Sequence, residues 1–302
     1  MLKRITAGAV LVTCLAAAHA TDYVWQHPTF TNIFGNVKPA PLTSAIGIYT
    51  SGVGNLGYTF NTWNLGDFTN YYPGTPSDYY QAGGSGVGYG GTSVQLKDVT
   101  FGAQLHTWST PSNSQILNLT YGGSVNIQPW AAGFGSDPSL CLSYFLTVPR
   151  QYSEGAVHYV TSMFQVNEPV SNKKFWIEAA IWDARGGGYL TYEGIANTDQ
   201  NDRMVQTALA TGKSYSSPMA YSSLASTGTF STEKWVGVCI SKTNLANMVS
   251  DLSAHYQEQW STAYSDYQVI NYGVQPEINR LPAMYNGWFS MTARDMWLMT
   301  RY

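Results

Sequence analysis

The chain has 302 residues, with 15 Lys and Arg against 18 Asp and Glu, and a formal net charge of −3. Charged residues make up 11% of it, against roughly a quarter in an average soluble protein. That balance excludes a nucleic-acid ligand, which demands a basic face. The Gly, Ser, Thr, Asn, Tyr and Trp that replace the charges suit pleated sheets and tight turns, not solvated helices.

Residues 1–20 read as a secretory signal peptide. Lys3 and Arg4 form a positive start, an apolar stretch runs from about Ala7 to Ala18, and Ala18-His19-Ala20 supplies the small residues of a cleavage site. Leu11-Val12-Thr13-Cys14 loosely resembles a lipid-attachment site, but Thr13 is larger than the residue such sites carry before the cysteine. No later run reaches the ~20 apolar residues of a membrane helix. The expectation is therefore a secreted protein, extracellular or periplasmic, with residues 21–302 as a single β-sandwich domain.

Its N-terminal part is loop-rich, with Pro28, Pro39 and Pro41, then a Gly/Tyr/Ser/Pro stretch from Tyr71 to Gly91. Gly83-Gly84-Ser85-Gly86-Val87-Gly88 lacks the Lys-Ser/Thr and helix of a phosphate loop and reads as a turn. Further on, alternating segments predict strands over Thr100–Trp108, Ser114–Leu119, Leu140–Val148, His158–Val166, Lys174–Asp183, Lys234–Ile240, Gln268–Ile278 and Trp288–Met299. Leu245, Met248, Val249, Leu252 and Tyr256 recur at helical spacing behind a cap at Ser241 or Thr243. The fold class is all-β, with that one helix packed on the outer sheet. Cys141 and Cys239 lie in short apolar runs, and both a disulfide and two buried thiols fit them.

Two segments carry the candidate chemistry. In Lys174–Asp183, alternation sets Phe175, Ile177, Ala179 and Ile181 on a core face and Trp176, Glu178, Ala180 and Trp182 on the other. Indole rings stack on sugar faces, and a carboxylate between them can reach a hydroxyl or an anomeric carbon. The plainer alternative buries both tryptophans and pairs Glu178 with Arg185. In Asn271–Asn279, alternation gathers Asn271, Gln275, Glu277 and Asn279 on one face, with Pro276 marking an irregularity. His158-Tyr159 offers a lyase-type proton-abstracting pair. Asp199, Asn201 and Asp202 form only part of a calcium loop, and no metal site or cofactor is expected.

Glu178-Ala179-Ala180-Ile181-Trp182 resembles the nucleophile strand of glycoside hydrolase family 12, although that family usually has Met where Ala180 stands. Glu277 in Tyr272-Gly273-Val274-Gln275-Pro276-Glu277-Ile278 is similar to its acid/base strand, with Gln275-Pro276 in place of Gly and an aromatic residue. The resemblance covers about residues 140–302. It implies a concanavalin A-like jelly roll and a retaining hydrolase acting on a β-1,4-glucan or related polysaccharide. Glu178 would be the nucleophile and Glu277 the acid/base, with Trp176, Trp182, Asn271 and Gln275 binding the sugar. A non-catalytic glycan-binding sandwich and a structural surface protein are the competing classes.

Overall fold

The computed structural model describes residues 116–187, 189–197, 203–279 and 287–302, together with short strands before them at 22–26, 46–50, 54–55, 79–81, 93–97 and 100–106. The signal-peptide, glycine-loop and calcium-loop readings lie outside these residues. In chain order the N-terminal strands are β1 (Asp22–Gln26), β2 (Ile46–Thr50), β3 (Gly54–Asn55), β4 (Tyr79–Gln81), β5 (Ser93–Lys97), β6 (Thr100–His106) and β7 (Ile116–Ile127). Next come β8 (Ser139–Ser153), β9 (Val157–Glu168), β10 (Lys173–Asp183), β11 (Gly194–Asn197), β12 (Arg203–Ala208) and β13 (Ser217–Pro218). The chain closes with β14 (Phe230–Ser241), α1 (Lys242–Tyr256), β15 (Gln268–Asn279) and β16 (Gly287–Arg301).

These strands form two sheets. The outer one runs β13-β14-β8-β16-β6-β5-β4, with β1 also on β16, and the second runs β11-β12-β10-β9-β15-β7-β2-β3. The fold is an all-β jelly-roll sandwich with one helix. All eight strands expected from alternation are present. The rest are mostly short, and β12 pairs in parallel with β10, a partnership that no local pattern encodes.

The core lies between the sheets. Leu140, Leu142, Tyr144 and Leu146 of β8 meet Val160, Phe164 and Val166 of β9 and Phe175, Ile177, Ala179 and Ile181 of β10 in one buried cluster. The core face predicted for β10 is the one observed. Ser241 caps α1 by accepting from Asn244 N–H at 3.0 Å, while Asn244 Oδ1 accepts from Ser241 N–H at 2.9 Å. Leu245, Met248, Val249 and Leu252 are buried, and the helix packs on β14 of the outer sheet and reaches β11 and β12 of the other.

Cys141 and Cys239 stand opposite each other on β8 and β14 and form a disulfide, which resolves that pairing. The bond closes a loop of 98 residues, and the chain-entropy model assigns such a loop about 4–5 kcal/mol. In a regular strand Arg294 and Asp295, adjacent on β16, would face opposite sides of the sheet. The ladder is irregular between Arg294 and Trp297, and Asp295 has a φ of 51°, so its carboxylate turns back to pair with Arg294.

His158 sits on the core face of β9 with no exposed surface, stacked on Phe289 at 5.4 Å. Neither ring nitrogen has a hydrogen-bond partner, and burial lowers its pKa to about 4. In the unfolded chain the ring takes up its proton near 6.5. The folded state therefore loses stability as pH falls from about 6.5 to 4, by about 3 kcal/mol in all. In urea denaturation, the stability of His158→Met relative to the parent should therefore rise by about 3 kcal/mol as pH falls from 7 to 4.

Candidate active site

The open face of the second sheet is built by three neighbouring strands, β10, β9 and β15. Their register places Trp176, Gln165 and Asn271 in one row, and Glu178, Met163 and Gly273 in the next. Ala180, Thr161 and Gln275 follow, and then Asp183, Tyr159 and Glu277. Glu178 and Glu277 thus share one face of one sheet. So do Trp176, Asn271 and Gln275, as the period of two predicted.

Trp182 does not join them. The β10–β9 register shifts between Ala180 and Trp182, so that Trp182 pairs with Val160 and Asp183 with Tyr159. This bulge turns Trp182 into the core, where it is fully buried, stacks on Phe289 at 5.4 Å and donates its indole N–H to Gly228 O at 3.1 Å. A sugar platform at Trp182 is therefore ruled out, because strict alternation failed at one residue. The same bulge delivers Asp183 to the cleft. Arg185 pairs with Asp183, its Nη2 donating to Oδ2 at 2.5 Å, and not with Glu178 as the plainer sequence reading had it.

A cavity of about 270 Å³ opens on this face, lined by Glu178, Ala180, Thr161, Tyr159, Gln206 and Tyr192 among others. Glu178 is 9% exposed. Desolvation pushes its carboxyl up to about 7, with a hydrogen bond from Gln206 working in the opposite direction. Glu277 is 4% exposed. One of its oxygens accepts from the Tyr159 hydroxyl, and the other accepts from Gln275 Nε2 at 3.3 Å. Asn271 Nδ2 donates to Gln165 Oε1 at 2.6 Å, closing the Trp176 end of the face. His158 and Tyr159 point to opposite faces, which removes the lyase pair.

The two glutamates are not adjacent. Two strand spacings and four residues separate their Cα atoms, about 16 Å in an untwisted sheet. Side chains stand roughly perpendicular to a sheet, so the carboxyl groups are spaced more widely than the about 5–5.5 Å of a retaining pair. Thr161, Asp183 and Gln206 also line the cavity without having been singled out in the sequence, and Tyr159 was singled out there only as a partner of His158. Gln206 needed the parallel β12 pairing to be seen. Among the described residues no group of three His, Cys, Asp or Glu could hold a metal ion, and no helix is long and apolar enough to cross a membrane.

No protein-family model and no curated protein matches the chain. Among solved structures it is similar to a family 12 xyloglucanase from Bacillus licheniformis, with 9% identity, 74% of this chain and 86% of that chain covered, and a TM-score of 0.35. It is also similar to the xyloglucanase domain of NopAA from Sinorhizobium fredii in complex with cellobiose, with 8% identity, 70% and 87% covered, and a TM-score of 0.31. Endoglucanase 3 of Trichoderma harzianum, from family GH12, is a third, with 10% identity, 70% and 91% covered, and a TM-score of 0.28.

The raised Glu178 pKa has a consequence for stability. The unfolded chain releases this proton near 4.5 and the folded chain near 7, so folding is opposed as pH rises between those values. The penalty reaches about 3 kcal/mol above pH 7. Glu178→Gln should therefore be more stable than the parent at pH 8, with the gap closing toward pH 4, as read by urea denaturation.

Proposed function

We propose that this is an exported glycoside hydrolase acting on a β-1,4-glucan or a related plant-type polysaccharide, with Glu178 as general acid and Glu277 as base. The observation that carries the reading is Glu178. It is a buried carboxyl on the wall of an open cavity, and its pKa near 7 leaves it a proton to donate at neutral pH. Glu277, on the same face, accepts from two donors, which is the bonding pattern of an ionised carboxylate.

These environments reverse the roles that the sequence resemblance implies. The Cα spacing is also wider than suits a retaining pair, whose carboxyl groups stand about 5–5.5 Å apart. Glu178 protonates the glycosidic oxygen as the C–O bond breaks. A water enters the opposite face of the sugar at the anomeric carbon and gives its proton to Glu277. Trp176, at the end of the face, supplies a half-buried indole for stacking a sugar ring, and Asn271 and Gln275 share that sheet face.

A second reading, a glycan-binding protein without turnover, is favoured by one observation: both Glu277 oxygens are already engaged by protein donors. Reducing-end release from an unsubstituted β-1,4-glucan separates the two. Hydrolysis should fall off as pH rises through about 7, and NMR should find the first-formed product anomer inverted. Glu178→Gln and Glu277→Gln should each lower kcat by at least about 100-fold with oligosaccharide affinity retained. Binding without turnover by the parent protein supports the second reading, and neither binding nor turnover sinks both.

A further inference from the structure

One end of the open sheet face holds a row of polar side chains that the β10 bulge creates. Asp183, Tyr159 and Glu277 stand opposite one another on β10, β9 and β15. Had β10 stayed regular, the tryptophan would occupy the place of the aspartate. On one side of this row the Tyr159 hydroxyl donates to Glu277 Oε1. On the other, the Arg185 guanidinium lies 5.6 Å from the Tyr159 ring centroid. Asp183 holds that guanidinium, accepting from Nε at 2.9 Å and from Nη2 at 2.5 Å, and it also accepts from the Arg185 backbone N–H at 2.8 Å.

A phenol O–H that donates to a carboxylate oxygen stabilises the ionised form more than the neutral one, so this contact favours the charged form of Glu277. A cation near the ring draws on its π-electrons, which strengthens the O–H as a donor. Among the described residues, the charged and titratable groups on this face around Glu277 include Tyr159 beside it, Asp183, Arg185 and Tyr192 beyond, and Glu178 four register steps along β9. On the other flank, β7 places Asn118 opposite Glu277, a residue that does not titrate.

We propose that Tyr159 is a positioning residue that holds Glu277 in its ionised, proton-accepting form, and that Arg185, anchored by Asp183, strengthens Tyr159 as the donor. This rests on the reading of Glu277 as the base and assigns what controls it. The sequence segment responsible is the irregular end of β10, whose bulge exchanges a core tryptophan for a cleft aspartate.

Tyr159→Phe removes the hydroxyl and keeps the ring. In the full-length exported chain the acid limb of the kcat/KM profile should move up by about one pH unit. At the parent's optimum kcat should fall about tenfold, with KM within twofold and Tm unchanged. Arg185→Gln should move the same limb the same way by less. An acid limb that stays in place in Tyr159→Phe overturns the proposal. If the parent protein turns over no glucan, the hydrolase reading has failed and the row is tested separately by ¹³C NMR of the Glu277 carboxyl. A higher titration midpoint in Tyr159→Phe than in the parent supports the assignment, and equal midpoints overturn it.

Discussion

The antiparallel register of β10, β9 and β15 is the constraint on which the rest of the molecule depends. In a pleated sheet each residue has one face, and here one face is committed to the core. Val160, Phe164, Phe175, Ile177, Val274 and Ile278 are buried between the sheets with almost no exposed surface. A slip of one residue would send this apolar set to solvent and the carboxylates into the core. The hydrophobic penalty of that slip aligns Glu178 and Glu277 on the open side. The site is precise because the core is.

Burial then differentiates the two acids. Glu178 has little compensation for leaving water beyond Gln206, and its carboxyl holds its proton to about 7. Glu277 is equally hidden but receives donors at both oxygens. Two residues of one type on one sheet face thus stand in different environments, one desolvated and the other hydrogen-bonded at both oxygens. The distinction comes from Gln206 on β12 for one acid, and from Tyr159 on β9 with Gln275 on β15 for the other.

The bulge in β10 is the other decisive element. An extra residue costs a ladder bond and bends the strand, and it also resets which side chains face the cleft. Trp182 fills the core against Phe289, while Asp183 anchors Arg185 at the cleft edge. The backbone around the bulge is tied down by the chain at Ser226, which bonds to Ile181 and Asp183. The irregularity is therefore held in place by a segment some forty residues downstream in sequence.

Local pattern was enough to determine the principal strands, the helix with its Ser241 cap and buried stripe, the core face of β10 and the shared face of Asn271, Gln275 and Glu277. Each of these follows from a period of 2.0 or 3.6 set against one dry face, which a single strand or helix expresses by itself. What tertiary structure decided was everything that joins distant segments. The Cys141–Cys239 bond, the parallel docking of β12 that brings Gln206 to Glu178, and the removal of Trp182 from the cleft all belong there. So does the pairing of Arg185 with Asp183, since Asp183 reaches the cleft only through the bulge. Alternation is a property of a regular strand, whereas bulges, parallel neighbours and desolvation are properties of how strands meet.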